Sequence, residues 1–223
     1  MISKRPILTR SKMLLSGNRR FPLRMRHRRK IHGRYRGGMN ANLNLQLGGT
    51  RRIDPNLSKV STVRRFAMRG HGDQMYGFRP YVYHLDQVDD LVKPYGLEAR
   101  IVAYLHDLLE DSEIRPRQIY LEFGQFVLEC CELLKDPDGD TRVERKRLLH
   151  ERLSKVGPSH HLALVVKVGD RLANVRACVA DSRNDKLEMY RLEHAEFRAA
   201  VYRPGLCDPL WRQLNAIMLA SSE

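Results

Sequence analysis

The chain has 223 residues, of which 42% are hydrophobic, and this is enough for one domain of ordinary size with a buried core. The formal net charge is +14, and no apolar run approaches the ~20 residues of a membrane span, so we expect no transmembrane helix. The four cysteines lack the paired spacing of a zinc module and the density of a disulfide framework. They indicate reduced thiols and a cytoplasmic location.

The positive charge lies in the first 53 residues. That segment has 15 Lys or Arg and no Asp or Glu, whereas residues 54–223 have 25 basic and 26 acidic side chains. We therefore expect a disordered basic tail over 1–53 and a single folded domain over 54–223. For the tail, the composition fits an arm that binds nucleic acid, an Arg-rich transit peptide, upstream sequence before a true start at Met39, or an inert extension.

Apolar residues at helical spacing predict an all-α domain. The first helix should begin at Pro55, with Asp54 as its N-cap. Gly and Pro separate the further predicted helices, which cover 84–93, 97–110, 116–134, 143–155, 159–180, 184–201 and 208–220. The run from Leu162 to Val168 has the composition of a strand, but helical spacing continues beyond it and favours a long buried helix.

The segment HDLLED, His106 to Asp111, combines one imidazole with three carboxylates. On a helix, His106 shares a face with Glu110, and Asp107 shares one with Asp111. A histidine beside an aspartate is a mixed nitrogen and oxygen donor set, which suits Mn2+, Fe2+ or Zn2+. One such pair cannot hold the ion alone, and a solvated helix end is the alternative interpretation.

Two other segments offer the missing ligands. His84 follows the apolar PYVY, where a histidine is either a ligand or a core residue. Asp170 follows an apolar run that would bury it, and a buried carboxylate needs a cation or hydrogen-bond donors. Lys167, Arg171 and Asn174 are close enough on a helix to meet it, so an ion pair is the alternative to a metal.

Three segments resemble, in their order and spacing, the HD-domain phosphohydrolases. They are FAMRGHGDQMYGFRPYVYH, AYLHDLLEDSEIRPRQIYLEFG and VVKVGDRLANVR. They are most similar to the (p)ppGpp hydrolase branch, which comprises the hydrolase half of RelA/SpoT-type enzymes and the stand-alone small alarmone hydrolases. The RVERKR stretch, Arg142 to Arg147, is also similar to the stand-alone enzymes. The resemblance covers roughly residues 57–200 and implies a single helical HD domain.

The resemblance also implies roles for the residues at matching positions. One Mn2+ would be held by His84, His106, Asp107 and Asp170. The acidic pair that orients or deprotonates the attacking water would be Glu110 and Asp111. The substrate would be met by Asn174 and by the basic side chains Arg171, Lys167, Lys146 and Arg147. For Lys146 and Arg147, a solvated helix face is the alternative.

One segment departs from the family pattern. Where the family has a basic Arg-Lys pair associated with guanine, this chain has MYGF and is one residue shorter. Tyr76 or Phe78 could stack on a base and Arg79 could restore a charge, with simple packing as the alternative. We expect His71 to be a structural histidine at a helix end. Gly169 replaces the alanine of the usual ADR motif, which should matter little to the ligand that follows.

Three functions fit these patterns. The first is Mn2+-dependent removal of the 3′-diphosphate from guanosine tetra- or pentaphosphate, giving GDP or GTP and pyrophosphate. The second is another nucleotide phosphatase of the same superfamily, acting on NADPH or a nucleoside monophosphate. The third is a nucleic-acid-binding protein that uses the basic tail. A stripe of Trp211, Leu214 and Met218 should pack in the core, with a homo-oligomer contact as the alternative.

Overall fold

The structure is a computed structural model that describes the backbone of residues 55–219 and the side chains of residues 56–219. The predicted tail over 1–53 and the predicted N-cap Asp54 lie outside this range. The first elements are α1 (Pro55–His71), the antiparallel pair β1 (Met75–Tyr76) and β2 (Arg79–Pro80), α2 (Val82–Val92), α3 (Leu97–Leu105) and α4 (Leu108–Asp111). They are followed by α5 (Pro116–Phe123), α6 (Gln125–Leu134), α7 (Arg142–Ser154), α8 (His161–Ala180), α9 (Asn184–Val201) and α10 (Asp208–Leu219). Single 3-10 turns precede α3 and α8, at Lys93–Tyr95 and Pro158–His160.

The all-α prediction is confirmed, but two predicted helices are each divided in two. The helix expected over 116–134 breaks at Gly124, whose φ of 86° lies in the left-handed region that side chains disfavour. The helix expected over 97–110 breaks at His106 and Asp107. There the His106 Nδ1 donates to the carbonyl of Ala103 at 2.7 Å, the acceptor that the Asp107 amide would use in a continuous helix.

Helix α8 is the centre of the bundle, and α2, α3, α6, α9 and α10 pack around it. The run from Leu162 to Val168 belongs to this helix, as its periodicity predicted. Trp211, Leu214 and Met218 of α10 are buried in the same core, which accounts for their stripe without a second copy of the chain. Among the described helices, none has the length and apolar character needed to cross a membrane.

Ion pairs with two hydrogen bonds fix α2 between α1 and α3. Arg64 of α1 pairs with Asp86, and Arg100 of α3 pairs with Asp89, each through two nitrogen–oxygen hydrogen bonds of 2.7 Å. The hydroxyl of Tyr104 donates to Asp86 at 2.9 Å. Asp86 and Asp89 lie two and five residues after His84 on the same helix, and their ion pairs therefore set the position of α2 at the site.

Gly169 allows α8 to approach α2 closely. A Cβ at this position would lie 2.8 Å from the Cγ1 of Val92, well inside the normal separation of two carbon atoms. The glycine therefore matters for helix packing, although Asp170 still follows it in the expected place.

We expect Gly169→Ala to lower the free energy of unfolding by about 1–2 kcal/mol, because overpacking outweighs the better helix propensity of alanine. Urea denaturation would measure this change. In a Val92→Ala background the same substitution should be neutral or stabilising, since the smaller side chain leaves room for the new methyl group. Equal effects in both backgrounds would contradict the packing explanation.

Candidate active site

Three segments of the bundle bring two histidines and two aspartates to one point. His84 comes from α2, His106 and Asp107 from the break between α3 and α4, and Asp170 from α8. The ligand atoms of His84, His106 and Asp107 all lie within 4.8 Å of one another. The Oδ1 of Asp170 lies 3.3 Å from the His84 Nε2 and 3.7 Å from the His106 Nε2. The structure thus brings together all four side chains that the sequence assigned to a metal.

The donor set fits a divalent cation. Because the His106 Nδ1 donates to the carbonyl of Ala103, its Nε2 is the ring atom that faces the cluster, where the Asp107 Oδ2 lies 3.0 Å away. Both histidines are 1% exposed. Two imidazole nitrogens with two carboxylate oxygens suit a divalent transition metal.

The electrostatics of the clustered side chains also favour a bound cation. Burial alone would disfavour a charged imidazole, yet the carboxylates of Asp107 and Asp170 raise the pKa of His106 to about 10. Burial likewise opposes ionisation of Asp107 and Asp170, but the neighbouring cationic groups hold the pKa of both carboxyls below the ordinary value. The two carboxylates therefore favour positive charge at this point, and either a proton on the imidazole or a divalent cation can supply it.

A layer of residues from the segment before α2 holds the acidic side chains in place. The Tyr81 hydroxyl donates to the Asp107 Oδ2 at 2.5 Å. The His71 ring stacks on Tyr81 with centroids 4.3 Å apart, and its Nδ1 donates to Gln74 at 2.7 Å. Gln74 in turn donates to Asp111 at 3.0 Å. His71 was expected only to be structural, and sequence reasoning did not find the contacts of Tyr81 and Gln74.

The acidic pair Glu110 and Asp111 lines the same cavity as His84, Asp107 and Asp170 of the cluster. The Glu110 Oε2 accepts a hydrogen bond from the amide of Asp136 at 3.1 Å. Burial nevertheless raises the pKa of Glu110 above its ordinary value. A carboxyl group with a raised pKa is suited to accepting and returning a proton near neutral pH.

Basic side chains also line the cavity, and each has an acidic partner. Lys146 contacts Asp136 at 2.7 Å, and Lys167 contacts Asp170 at 3.1 Å. Arg171 donates to Glu193 at 3.1 Å. We name these three cations and Arg142 the basic wall; Arg142 shares Glu193 at 2.8 Å.

The sequence assigned Lys146, Lys167 and Arg171 to the substrate, and all three line the cavity. Arg147 does not, because it follows Lys146 on α7 and so points about 100° away around the helix. Its side chain is 64% exposed and pairs with Glu151 at 3.6 Å. Arg142 also lines the cavity but was not predicted to contact the substrate. Its position four residues before Lys146 was a signal that the two side chains share one face of the helix.

The β1–β2 hairpin lies beside the histidines and is anchored to α8. The Tyr76 ring stacks on His84 with centroids 4.8 Å apart, and its hydroxyl donates to Asn174 at 2.9 Å. Asn174 donates to the Asp170 Oδ1 at 2.6 Å, so it positions that carboxylate. Arg79 makes two hydrogen bonds to Asp181, at 2.8 and 2.9 Å, and does not line the cavity.

Removing the Tyr81 hydroxyl should loosen the metal centre. We expect Tyr81→Phe to weaken Mn2+ binding about 10–100-fold, because the partner that orients Asp107 is lost. Titration calorimetry with Mn2+ would measure the affinity. Tyr83→Phe is the matched control, since the Tyr83 hydroxyl bonds Gln87 outside the cluster. Unchanged Mn2+ affinity in Tyr81→Phe would refute the orienting role.

None of the protein-family models matches the chain. A stretch of 74 residues, 33% of this chain, is 35% identical to 40% of human guanosine-3′,5′-bis(diphosphate) 3′-pyrophosphohydrolase MESH1. This chain therefore spans only two fifths of that relative in the match.

Two solved structures have a similar fold. The first is a metazoan orthologue of SpoT that hydrolyses ppGpp, with a TM-score of 0.62 and 22% identity over 72% of this chain and 93% of the other. The second is a protein of Listeria monocytogenes EGD-e, with a TM-score of 0.50 and 19% identity over 62% of this chain and 98% of the other. These two structures confirm the helical fold, and the human relative agrees over the 74 matched residues with the resemblance that the motifs indicate.

Proposed function

We propose that this protein is a metal-dependent hydrolase that removes the 3′-diphosphate of guanosine 3′,5′-bis(diphosphate), or of the corresponding pentaphosphate, as pyrophosphate. The observation that carries the proposal is the convergence of His84, His106, Asp107 and Asp170 beside an acidic pair and a basic wall. The named activity of the human relative and of the SpoT orthologue supports the choice of substrate. The four free, buried cysteines suit a reducing compartment such as the cytoplasm.

In this proposal the four clustered residues hold one divalent cation, with Mn2+ as the expected ion. A bound divalent cation lowers the pKa of a water ligand and offsets charge on phosphoryl oxygens. The chain's own part is to fix that cation between α2, α8 and the break after α3. Tyr81 and Asn174 act on it indirectly, because each holds one of the aspartates by a hydrogen bond.

The acidic pair handles the water and its proton. Hydrolysis joins the water oxygen to the 3′-phosphorus and breaks the bond from that phosphorus to the ribose O3′, which then needs a proton. Glu110, whose pKa is raised by burial, is suited to taking the proton from water and supplying it to O3′. Asp111, held by Gln74, is suited to orienting the water.

The basic wall supplies the charge that the substrate requires. Lys146, Lys167 and Arg171 line the cavity, and their charges oppose those of the phosphate oxygens. Their acidic partners keep them in place within the protein. A substrate that bears a diphosphate fits this arrangement better than one that is neutral.

Removing the clustered ligands should abolish hydrolysis. We expect His106→Ala and Asp107→Ala each to lower kcat/KM for ppGpp by at least about 10³-fold, since charge stabilisation in a closed site is the largest catalytic term. Chelation should have the same effect on the wild-type protein, and Mn2+ should restore it. Release of pyrophosphate measures the rate.

His160→Ala is the matched control, because His160 is a partly buried histidine that pairs with Glu129 and does not line the cavity. It should retain full activity. Pyrophosphate release that persists after chelation would contradict the whole site.

A second candidate is a nucleotide phosphatase of the same superfamily that acts on NADPH or a nucleoside monophosphate. The hairpin favours it, because Arg79 is engaged with Asp181 and does not supply the free charge expected near guanine. We expect the purified protein to prefer ppGpp over NADPH and nucleoside monophosphates, with pyrophosphate as product. Inorganic phosphate as the main product, or a higher kcat/KM for NADPH, would favour the second candidate.

Nucleic-acid binding through residues 1–53 and assembly into a homo-oligomer stay predictions from the sequence. Comparing the full chain with a variant that starts at residue 54 would separate a role of the tail from the chemistry of the domain.

A further inference from the structure

Residues spaced four apart on helix α7 face the cavity. Arg142, Lys146 and His150 share this face, and all three line the cavity. The two cations have acidic partners, but neither nitrogen of the His150 ring has a hydrogen-bond partner among the described residues. His150 is also only 8% exposed. It is therefore a buried polar side chain that faces the site and that the described protein groups do not satisfy.

This histidine weakens the fold in its own right. A buried polar group without a partner costs free energy, whereas a leucine would fill the same space without that cost. Leu149 is apolar, and the Phe197 ring lies 6.1 Å away between centroids. Charged groups also act on the ring, namely Arg171, Lys146, Glu196 and Glu193, but none of them makes a hydrogen bond to it. A group from outside the chain is the remaining source of a partner.

The chemistry of the surroundings limits what that group is. Burial, followed by the charges of Arg171 and Lys146, lowers the pKa of His150, so the ring is neutral near pH 7 and offers one donor and one acceptor. The charges of Arg171 and Lys146 disfavour a metal ion as its ligand, and Glu193, the nearby carboxylate that lies between α7 and α8, is already paired with Arg142 and Arg171. Phosphate oxygens are not the expected partner of His150, because the charged donors of the basic wall bind them more strongly than a neutral ring does.

We propose that His150 is a specificity-determining residue, which binds an uncharged group of the nucleoside that has both donor and acceptor character, either a sugar hydroxyl or a base edge. This inference rests on the proposed function, because it takes a nucleotide to be the ligand. Arg171 stands beside this point, with its guanidinium 4.5 Å from the ring centroids of both Tyr190 and Phe197. The diphosphate and the nucleoside are then recognised by separate groups of the same cavity.

The test compares nucleotide binding with pyrophosphate binding in the full, Mn2+-loaded chain. We expect His150→Leu to weaken the binding of GDP about tenfold, measured by titration calorimetry, and to change that of pyrophosphate less than twofold. His150→Gln, which keeps a donor and an acceptor, should recover part of the GDP affinity. The thermal midpoint of ligand-free His150→Leu should equal or exceed that of the wild type, because an unsatisfied buried group has been removed.

His194→Leu is the matched control. His194 is a partly buried histidine with an unpartnered Nδ1, and it lies on α9 without lining the cavity. This variant should bind both ligands as the wild type does. GDP affinity within twofold of the wild type in His150→Leu would overturn the inference, and so would equal weakening of GDP and pyrophosphate binding. A lower thermal midpoint together with loss of both ligands would show a purely structural role and would also overturn it.

Nucleotide analogues separate the two groups that His150 could contact. If it binds a sugar hydroxyl, the difference between wild type and His150→Leu should vanish for a deoxy analogue of GDP. If it binds the base edge, the difference should vanish for ADP instead. A difference that persists for every analogue would refute both contacts.

Failure of the proposed function has a distinct result. Wild-type protein that binds GDP through His150 but releases no pyrophosphate from ppGpp would remove the hydrolase and leave the assignment of His150 standing. Pyrophosphate release with full GDP affinity in His150→Leu would do the reverse.

Discussion

The structure depends on the burial of two aspartates against two histidines at the centre of a helical bundle. Carboxylates in such a position require compensating positive charge. Lys167 contacts Asp170, and the His106 imidazole lies 3.0 Å from Asp107. A divalent cation at this point would offset both and would also use the lone pair that the Ala103 carbonyl leaves on the His106 ring. These charged side chains are held together by the break after α3, the central position of α8 and the hydrogen bond of Tyr81.

The chemistry of the cavity changes from one side to the other. In the proposed function, His84, Asp107 and Asp170 hold the cation within the cavity, and next to them Glu110 and Asp111 provide proton transfer and orientation. The cations of α7 and α8 that line the same cavity would receive phosphate oxygens. Helix α7 contributes to this division because residues four apart share its inner face, while the adjacent Arg147 lies outside.

Much of this arrangement could be predicted from the sequence, because its signals are local. Helical spacing identified α8 despite its strand-like composition, and the HD pair with the later Asp170 pointed to side chains that the fold brings together. The missed features depend on contacts between distant residues. The side chain of Tyr76 pairs with Asn174, 98 positions away, and Glu193 meets both Arg142 and Arg171 only once α9 has packed. The break at Gly124 needed knowledge of its backbone angle rather than of its residue type.

The hairpin over His84 has consequences for the order in which the molecule folds. Two strands of two residues each are too short to be stable alone. The segment therefore relies on Tyr76 reaching Asn174 of α8 and on Arg79 reaching Asp181 just after α8, each across about a hundred residues of chain. Contacts of such long sequence separation are expensive to form early. The covering of the histidines should thus be among the last parts of the native state to assemble, after the helices beneath it have consolidated.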